Sequence, residues 1–88
     1  MEELAVKLKA LADEKRLKIL DVLLKKDYCV KALARELDLS ESAVSQHLKK
    51  LREAGLVVGE KKGYWVHYVV QVNEVMELGE RLIDFTEH

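Results

Sequence analysis

The chain has no proline, one cysteine (Cys29), and a single tryptophan, phenylalanine and asparagine. Without proline there is no residue that must break or kink a helix, and no ready site for a cis peptide bond. A lone cysteine excludes an internal disulfide, which fits a reducing compartment, most simply the cytoplasm. No apolar run approaches the roughly 20 residues needed to cross a bilayer, and no signal-peptide pattern opens the chain, so no membrane partner is expected. There is no nucleophile–base pairing and no phosphate-cradling glycine loop. The three histidines (His47, His67 and the final His88) share no ligand-type spacing. An enzyme, a resident metal and a cofactor are therefore not expected.

What is present is globular in character. Of the 88 residues, 49% are apolar and 35% charged, with no linker, repeat or low-complexity segment. Residues 1–88 read as one small domain. A domain of this size buries only about 60% of its unfolded surface, so a partner subunit often completes its core. The net charge of −1 is unevenly spread. Residues 1–39 carry nine basic and eight acidic groups, residues 40–65 five and three, and residues 66–88 one and five. The acidity is thus concentrated near the C-terminus. Abundant Glu and Lys with little Asn or Gln is a composition common in thermophiles.

Apolar periodicity predicts five helices and one hairpin. Leu4, Leu8 and Leu11 form one stripe on a first helix over residues 2–11. Asp13 suits the N-cap of a second helix from Glu14 to Lys25, with Leu17, Leu20, Leu23 and Leu24 on one side and Ile19 and Val22 on the other. Tyr28-Cys29-Val30 allows a residue or two of extended chain before a third helix over Val30–Leu37. Asp38-Leu39-Ser40 then forms a turn, Ser40 caps a fourth helix, and Gly55 stops that helix after Ala54. A short helix, a tight turn and a longer capped helix is the spacing of a helix-turn-helix. Leu56–Glu60 and Tyr64–Val72 predict two strands joined by Lys61-Lys62-Gly63. Asn73 is the expected cap of a fifth helix running to the C-terminus. The fold class is mainly α with a small β-hairpin wing: a winged helix-turn-helix.

The fourth helix carries the chemistry. Val44, Leu48 and Leu51 repeat at i, i+4, i+7 and face the core, which leaves Ser42, Ser45, Gln46, Lys49, Lys50 and Glu53 outside. Gln pairs bidentately with the major-groove edge of adenine, Ser bonds bases or phosphates, and Lys neutralises phosphates. His47 lies about 60° from the apolar stripe at 100° per residue, where it either packs half-buried or reaches DNA from the flank. Lys61 and Lys62 on the wing suit the phosphate backbone. The candidate DNA-binding set is Ser40, Ser42, Ser45, Gln46, His47, Lys49, Lys50, Lys61, Lys62 and Tyr64. On the fifth helix Val75, Leu78, Gly79, Leu82 and Ile83 form a wide apolar sector. Gly79 costs about 1 kcal/mol against alanine inside a helix, which suggests another backbone close by. With Leu4 and Leu8 of the first helix, this sector is the candidate homodimer interface.

Several of these motifs resemble the ArsR/SmtB family of winged-helix repressors. Leu11-Ala12-Asp13 with Arg16-Leu17-Lys18-Ile19-Leu20 is similar to its opening signature. Ser42-Ala43-Val44-Ser45-Gln46-His47-Leu48 with Leu51-Arg52-Glu53-Ala54-Gly55-Leu56-Val57 is similar to its recognition helix and exit. Gly63-Tyr64-Trp65-Val66-His67-Tyr68 is similar to the outgoing strand of its wing. The resemblance implies a homodimeric repressor that leaves a palindromic operator when an inducer binds. This chain departs from the family's metal-sensing members. Their Cys-Val-Cys-Asp box is here Cys29-Val30-Lys31-Ala32, with one thiolate. Their C-terminal zinc site needs histidines that the fifth helix has only at His88. The family's wings often carry arginine after the glycine, where this chain has Tyr64. The expected function is a sequence-specific DNA-binding repressor without those metal sites. Two alternatives stay open: a metal- or redox-sensing repressor using Cys29, and a winged-helix module that docks proteins.

Overall fold

The computed structural model describes residues 1–87; the sequence reading of His88 falls outside the described residues. The elements run α1 (Glu2–Leu11), α2 (Glu14–Lys25), β1 (Tyr28–Cys29), α3 (Val30–Leu37), α4 (Glu41–Glu53), β2 (Val57–Lys62), β3 (Trp65–Val70) and α5 (Val72–Thr86). Local chemistry sets most of these boundaries. The Asp13 carboxylate accepts the backbone N–H groups of Lys15 (2.9 Å) and Arg16 (3.1 Å), so α2 starts on a satisfied turn. Asp38 adopts the left-handed conformation (φ 53°) that ends α3, a conformation a short polar side chain tolerates. Gly55 does the same after α4 with φ 78°, and the N–H of Leu56 returns to the carbonyl of Leu51 at 2.9 Å. That six-to-one bond closes a Schellman motif and turns the chain directly into β2.

The core is a single cluster centred on α2, α3 and α4. Ile19, Leu33, Val44, Leu48, Leu51 and Leu56 are its fully buried side chains. Helix α2 packs against α1, α3, α4 and β3, as its central place in the sequence reading requires. The buried face is narrower than expected, however. Ile19, Leu20 and Leu23 are buried under α1, α3, α4 and β3, while Leu17 and Leu24 are half-exposed at the edge of that face.

The sheet has three strands in the order β1-β3-β2, all antiparallel. Tyr28 pairs with Tyr68 and Cys29 with His67, so two residues before α3 stitch the hairpin to the body of the domain. On β3 the face bearing Tyr68 and Val70 packs on the core. The hairpin is tighter than the sequence suggested. Lys61 and Lys62 belong to β2, paired with Val66 and Trp65, and the turn is Gly63-Tyr64, with Gly63 at φ 65°. A two-residue turn needs that positive φ, which glycine supplies without strain.

Helix α5 begins two residues earlier than the Asn73 cap implied. Gln71 is the N-cap and makes no side-chain cap bond. Its backbone N–H donates to Leu56 O at 2.8 Å, and its carbonyl accepts from Glu74 and Val75. Pinning Gln71 to the α4 exit fixes the turn there and leaves Asn73 inside the first helical turn. Helices α1 and α5 meet within the one chain through Lys7 Nζ and Glu74 Oε2, 2.6 Å apart. The expected close approach at Gly79 is not made inside the chain: a Cβ there would meet nothing within 4 Å.

Candidate nucleic-acid interface

Helix α4 is presented by three devices acting together. The Ser40 hydroxyl accepts the N–H of Ala43 at 3.0 Å and fixes the first turn. Val44, Leu48 and Leu51, exposed by 1% or less, seat the inner face. The Gly55 turn then releases the chain. Ser42, Ser45, Gln46, Lys49 and Lys50 are all exposed on the outer face, and Gln46, Lys49, Lys50 and Glu53 line one shallow depression along it. Among the described residues, Lys49 and Lys50 have no carboxylate within 4.0 Å, so their charge is not neutralised by the protein itself.

His47 is half-buried, between the two alternatives left by its angular position. Its ring is not bonded to backbone. Its Nδ1 lies 3.3 Å from the Arg16 guanidinium, whose Nε donates to the Ala10 carbonyl at 2.6 Å. Asp13 lies beside the same arginine, and the Arg16 backbone N–H holds the Asp13 carboxyl below the ordinary carboxylate range.

The wing differs from its expected role in one respect. Lys61 is exposed and has no carboxylate within 4.0 Å among the described residues, and Tyr64 is fully exposed at the tip. Lys62 is instead tied to the body, with its Nζ 2.7 Å from Asp27 Oδ2. The same oxygen accepts from His67 Nδ1 at 2.9 Å. The hydrogen bond from Lys62, followed by that from His67, lowers the Asp27 carboxyl to about 2, and Asp27 in turn raises the Lys62 ammonium above its ordinary value. Nothing in the sequence pointed to Asp27. Its role depends on the strand register that carries Lys62 and His67 to one place. Arg16 stood out only as part of a motif, and its partners Ala10 and His47 are 6 and 31 residues away.

Cys29 is a free, half-buried thiol at the N-cap of α3, opposite His67 in the sheet. Among the described residues, no group of three or more His, Cys, Asp or Glu side chains is placed to hold a metal ion. Among the described residues, no helix is long and apolar enough to cross a membrane. On the candidate interface between copies, Leu4 and Leu78 are already buried within one chain, and Leu8, Val75 and Gly79 are partly covered. Leu82 and Ile83 are exposed, as are Val72, Met76 and Phe85 of the same helix.

Comparison with known proteins agrees with this architecture. A family model described as "Bacterial regulatory protein, arsR family" matches residues 13–58, from the α2 cap to the start of β2. The transcriptional activator HlyU of Vibrio cholerae is 46% identical over 77 residues, which are 88% of this chain and 71% of that protein. The arsenical resistance operon repressor of Escherichia coli is 48% identical over 61 residues, 68% of this chain and 52% of that one. The chain therefore spans about half to three-quarters of the length of these relatives. Among solved structures, an ArsR-like transcriptional regulator from Rhodococcus superposes with a TM-score of 0.91 at 32% identity, covering 98% of this chain and 81% of that one. A homodimeric winged helix-turn-helix DNA-binding domain from Mycobacterium bovis superposes with a TM-score of 0.81 at 27% identity, covering 99% and 82%.

Proposed function

Because the chain belongs to the ArsR family of bacterial regulatory proteins, we propose that it acts in the cytoplasm as a homodimeric, sequence-specific DNA-binding repressor. The observation that carries this reading is the outer face of α4. Ser42, Ser45, Gln46, Lys49 and Lys50 stand exposed on a helix whose opposite side is fully buried. Gln46 and the serines offer donors and acceptors to base edges in the major groove, and the two lysines offer charge to the flanking phosphates. Lys61 and Tyr64 extend along the duplex from the wing. Ser40 contributes through its cap on α4.

A single copy reads too little sequence to select one site in a genome. The apolar residues left exposed on α5, with α1 beside them, supply the surface for a second copy. Two-fold symmetry then makes the operator palindromic, with half-sites about 34 Å apart or a multiple of that distance. In the stretch that resembles the family's Cys-Val-Cys-Asp box the chain has one cysteine, Cys29, with Lys31 in place of a second, which supports a repressor without that site.

The test is titration of fragments of the protein's own promoter at several salt concentrations. Each neutralised phosphate steepens the log–log slope by about 0.9. Lys49→Ala removes one such contact from each copy of the dimer and should flatten the slope by about 1.8, whereas Gln46→Ala should lower discrimination between the operator and unrelated DNA while leaving the slope alone. If Lys49→Ala leaves the slope unchanged, the placement of α4 on DNA is wrong.

A further inference from the structure

Arg16 bridges three helices, yet it lies on α2, off the outer face of α4. Its side chain is only 13% exposed. It joins three elements: Nε donates to the Ala10 carbonyl near the end of α1, the guanidinium lies 3.9 Å from the Asp13 cap, and Nη1 meets His47 Nδ1 on α4 at 3.3 Å.

The chemistry of that last contact is one-directional. A guanidinium has five donors and no acceptor, and it does not give up its proton in proteins. His47 Nδ1 must therefore be the acceptor, and the ring proton must sit on Nε2. Nε2 has no hydrogen-bond partner among the described residues. It is not buried either, because no buried side-chain nitrogen or oxygen among the described residues lacks a partner. An N–H donor therefore remains free and touches solvent. It belongs to a helix position between Gln46 and Lys49, beside the groove-facing side chains.

We propose that Arg16 is a positioning residue for DNA binding: it holds His47 in the Nε2–H tautomer and in the ring orientation that offers this donor to a phosphate oxygen of the duplex. The inference rests on the placement of α4 on DNA argued above. A neutral N–H bonded to phosphate adds affinity but releases no counterion, so it leaves a different signature from the lysines.

The test uses the full chain at pH 8 and a fluorescein-labelled duplex of arbitrary sequence, since phosphate contacts do not depend on sequence. His47→Ala should weaken binding by about 5-fold for each copy in contact with the duplex, about 25-fold for a dimer bound through both, with no change in the salt slope. Arg16→Lys keeps the charge and can still reach Ala10, but it lacks the fork that serves both partners; it should lose the same factor, again without a change in slope. The double variant should lose no more than either single one. In the free protein, long-range ¹⁵N–¹H spectra should show His47 as a single Nε2–H tautomer, and as a mixture in Arg16→Lys. This spectrum is independent of DNA affinity and also reports whether the variant is folded. Full affinity in Arg16→Lys, losses that multiply in the double variant, or a protonated Nδ1 in the unmutated protein would each overturn the proposal alone. Absence of duplex binding by the unmutated chain would overturn the DNA reading beneath it as well.

Discussion

At Ser40 a single hydroxyl decides how the exposed helix begins. It satisfies the Ala43 N–H at 3.0 Å, and alanine at this position leaves that donor without its partner. Ser40→Ala should cost about 1 kcal/mol and lower the melting temperature by roughly 4–8 °C, the range for a domain of this size; thermal unfolding followed by circular dichroism measures it. Leu48 is a harsher case. Its side chain is 1% exposed between α2 and α3, so Leu48→Ala opens a cavity in the middle of the core. A loss of about 2–5 kcal/mol is expected, which for a small domain is a large fraction of the total stability. Denaturant titration gives the number. Leu48 is buried away from any ligand, so Leu48→Ala should keep its salt slope wherever it remains folded; the same result for Ser40→Ala would show that Ser40 serves α4 as its cap rather than as a phosphate contact.

The elements on either side of α4 behave differently. The wing is fastened to the body by Asp27, whose one carboxylate oxygen takes both Lys62 and His67. Asp27→Asn removes the negative charge and frees the Lys62 ammonium. With one freed ammonium in each copy of the dimer, the slope of log affinity against log salt should then steepen by about 1.8 as both turn to phosphate; an unchanged slope would mean Lys62 does not reach DNA. The pH dependence has a definite sign. The Asp27 carboxyl is lowered to about 2 by Lys62 and His67. The clasp therefore contributes fully above the ordinary carboxylate value near 3.9 and is lost as pH falls from there toward 2. Proteolysis or hydrogen exchange at the hairpin across that window reads it. Asp27 also marks the limit of what the sequence discloses. Helices α1 to α4 were legible because their apolar periods and the caps at Asp13 and Ser40 are local. The exposed side of α4 followed from Val44, Leu48 and Leu51 alone. Tyr28-Cys29 was legible as extended chain, but its pairing with β3, the exact hairpin turn and the Asp27 clasp were not, because each depends on register between separate segments of the chain. The start of α5 was misplaced for the same reason: Gln71 is fixed by the Leu56 carbonyl, a partner that no nearby residue identifies.

At the scale of the whole molecule, α5 carries an apolar face that its own chain leaves uncovered. Val72, Met76, Leu82, Ile83 and Phe85 are all at least 41% exposed, an unusual concentration for one helix of a small domain. If a second copy packs there, Ile83→Asp should yield monomers in sedimentation equilibrium with little change in the fold. Gly79 gives a finer test. Within one chain a Cβ at this position has open space, so Gly79→Ala should stabilise the isolated protomer by about 0.5–1 kcal/mol through reduced chain entropy. If instead a partner helix lies against it, the same change should weaken association, and the two effects separate when unfolding is measured at high and low protein concentration.

The apolar flank of α5 has one more consequence. A regulator that must pair before it can grip its site responds to its own abundance twice over: once in assembling, once in binding. In the dilute limit occupancy follows the square of chain concentration, so a modest rise in synthesis fills a site more sharply than a one-copy reader could.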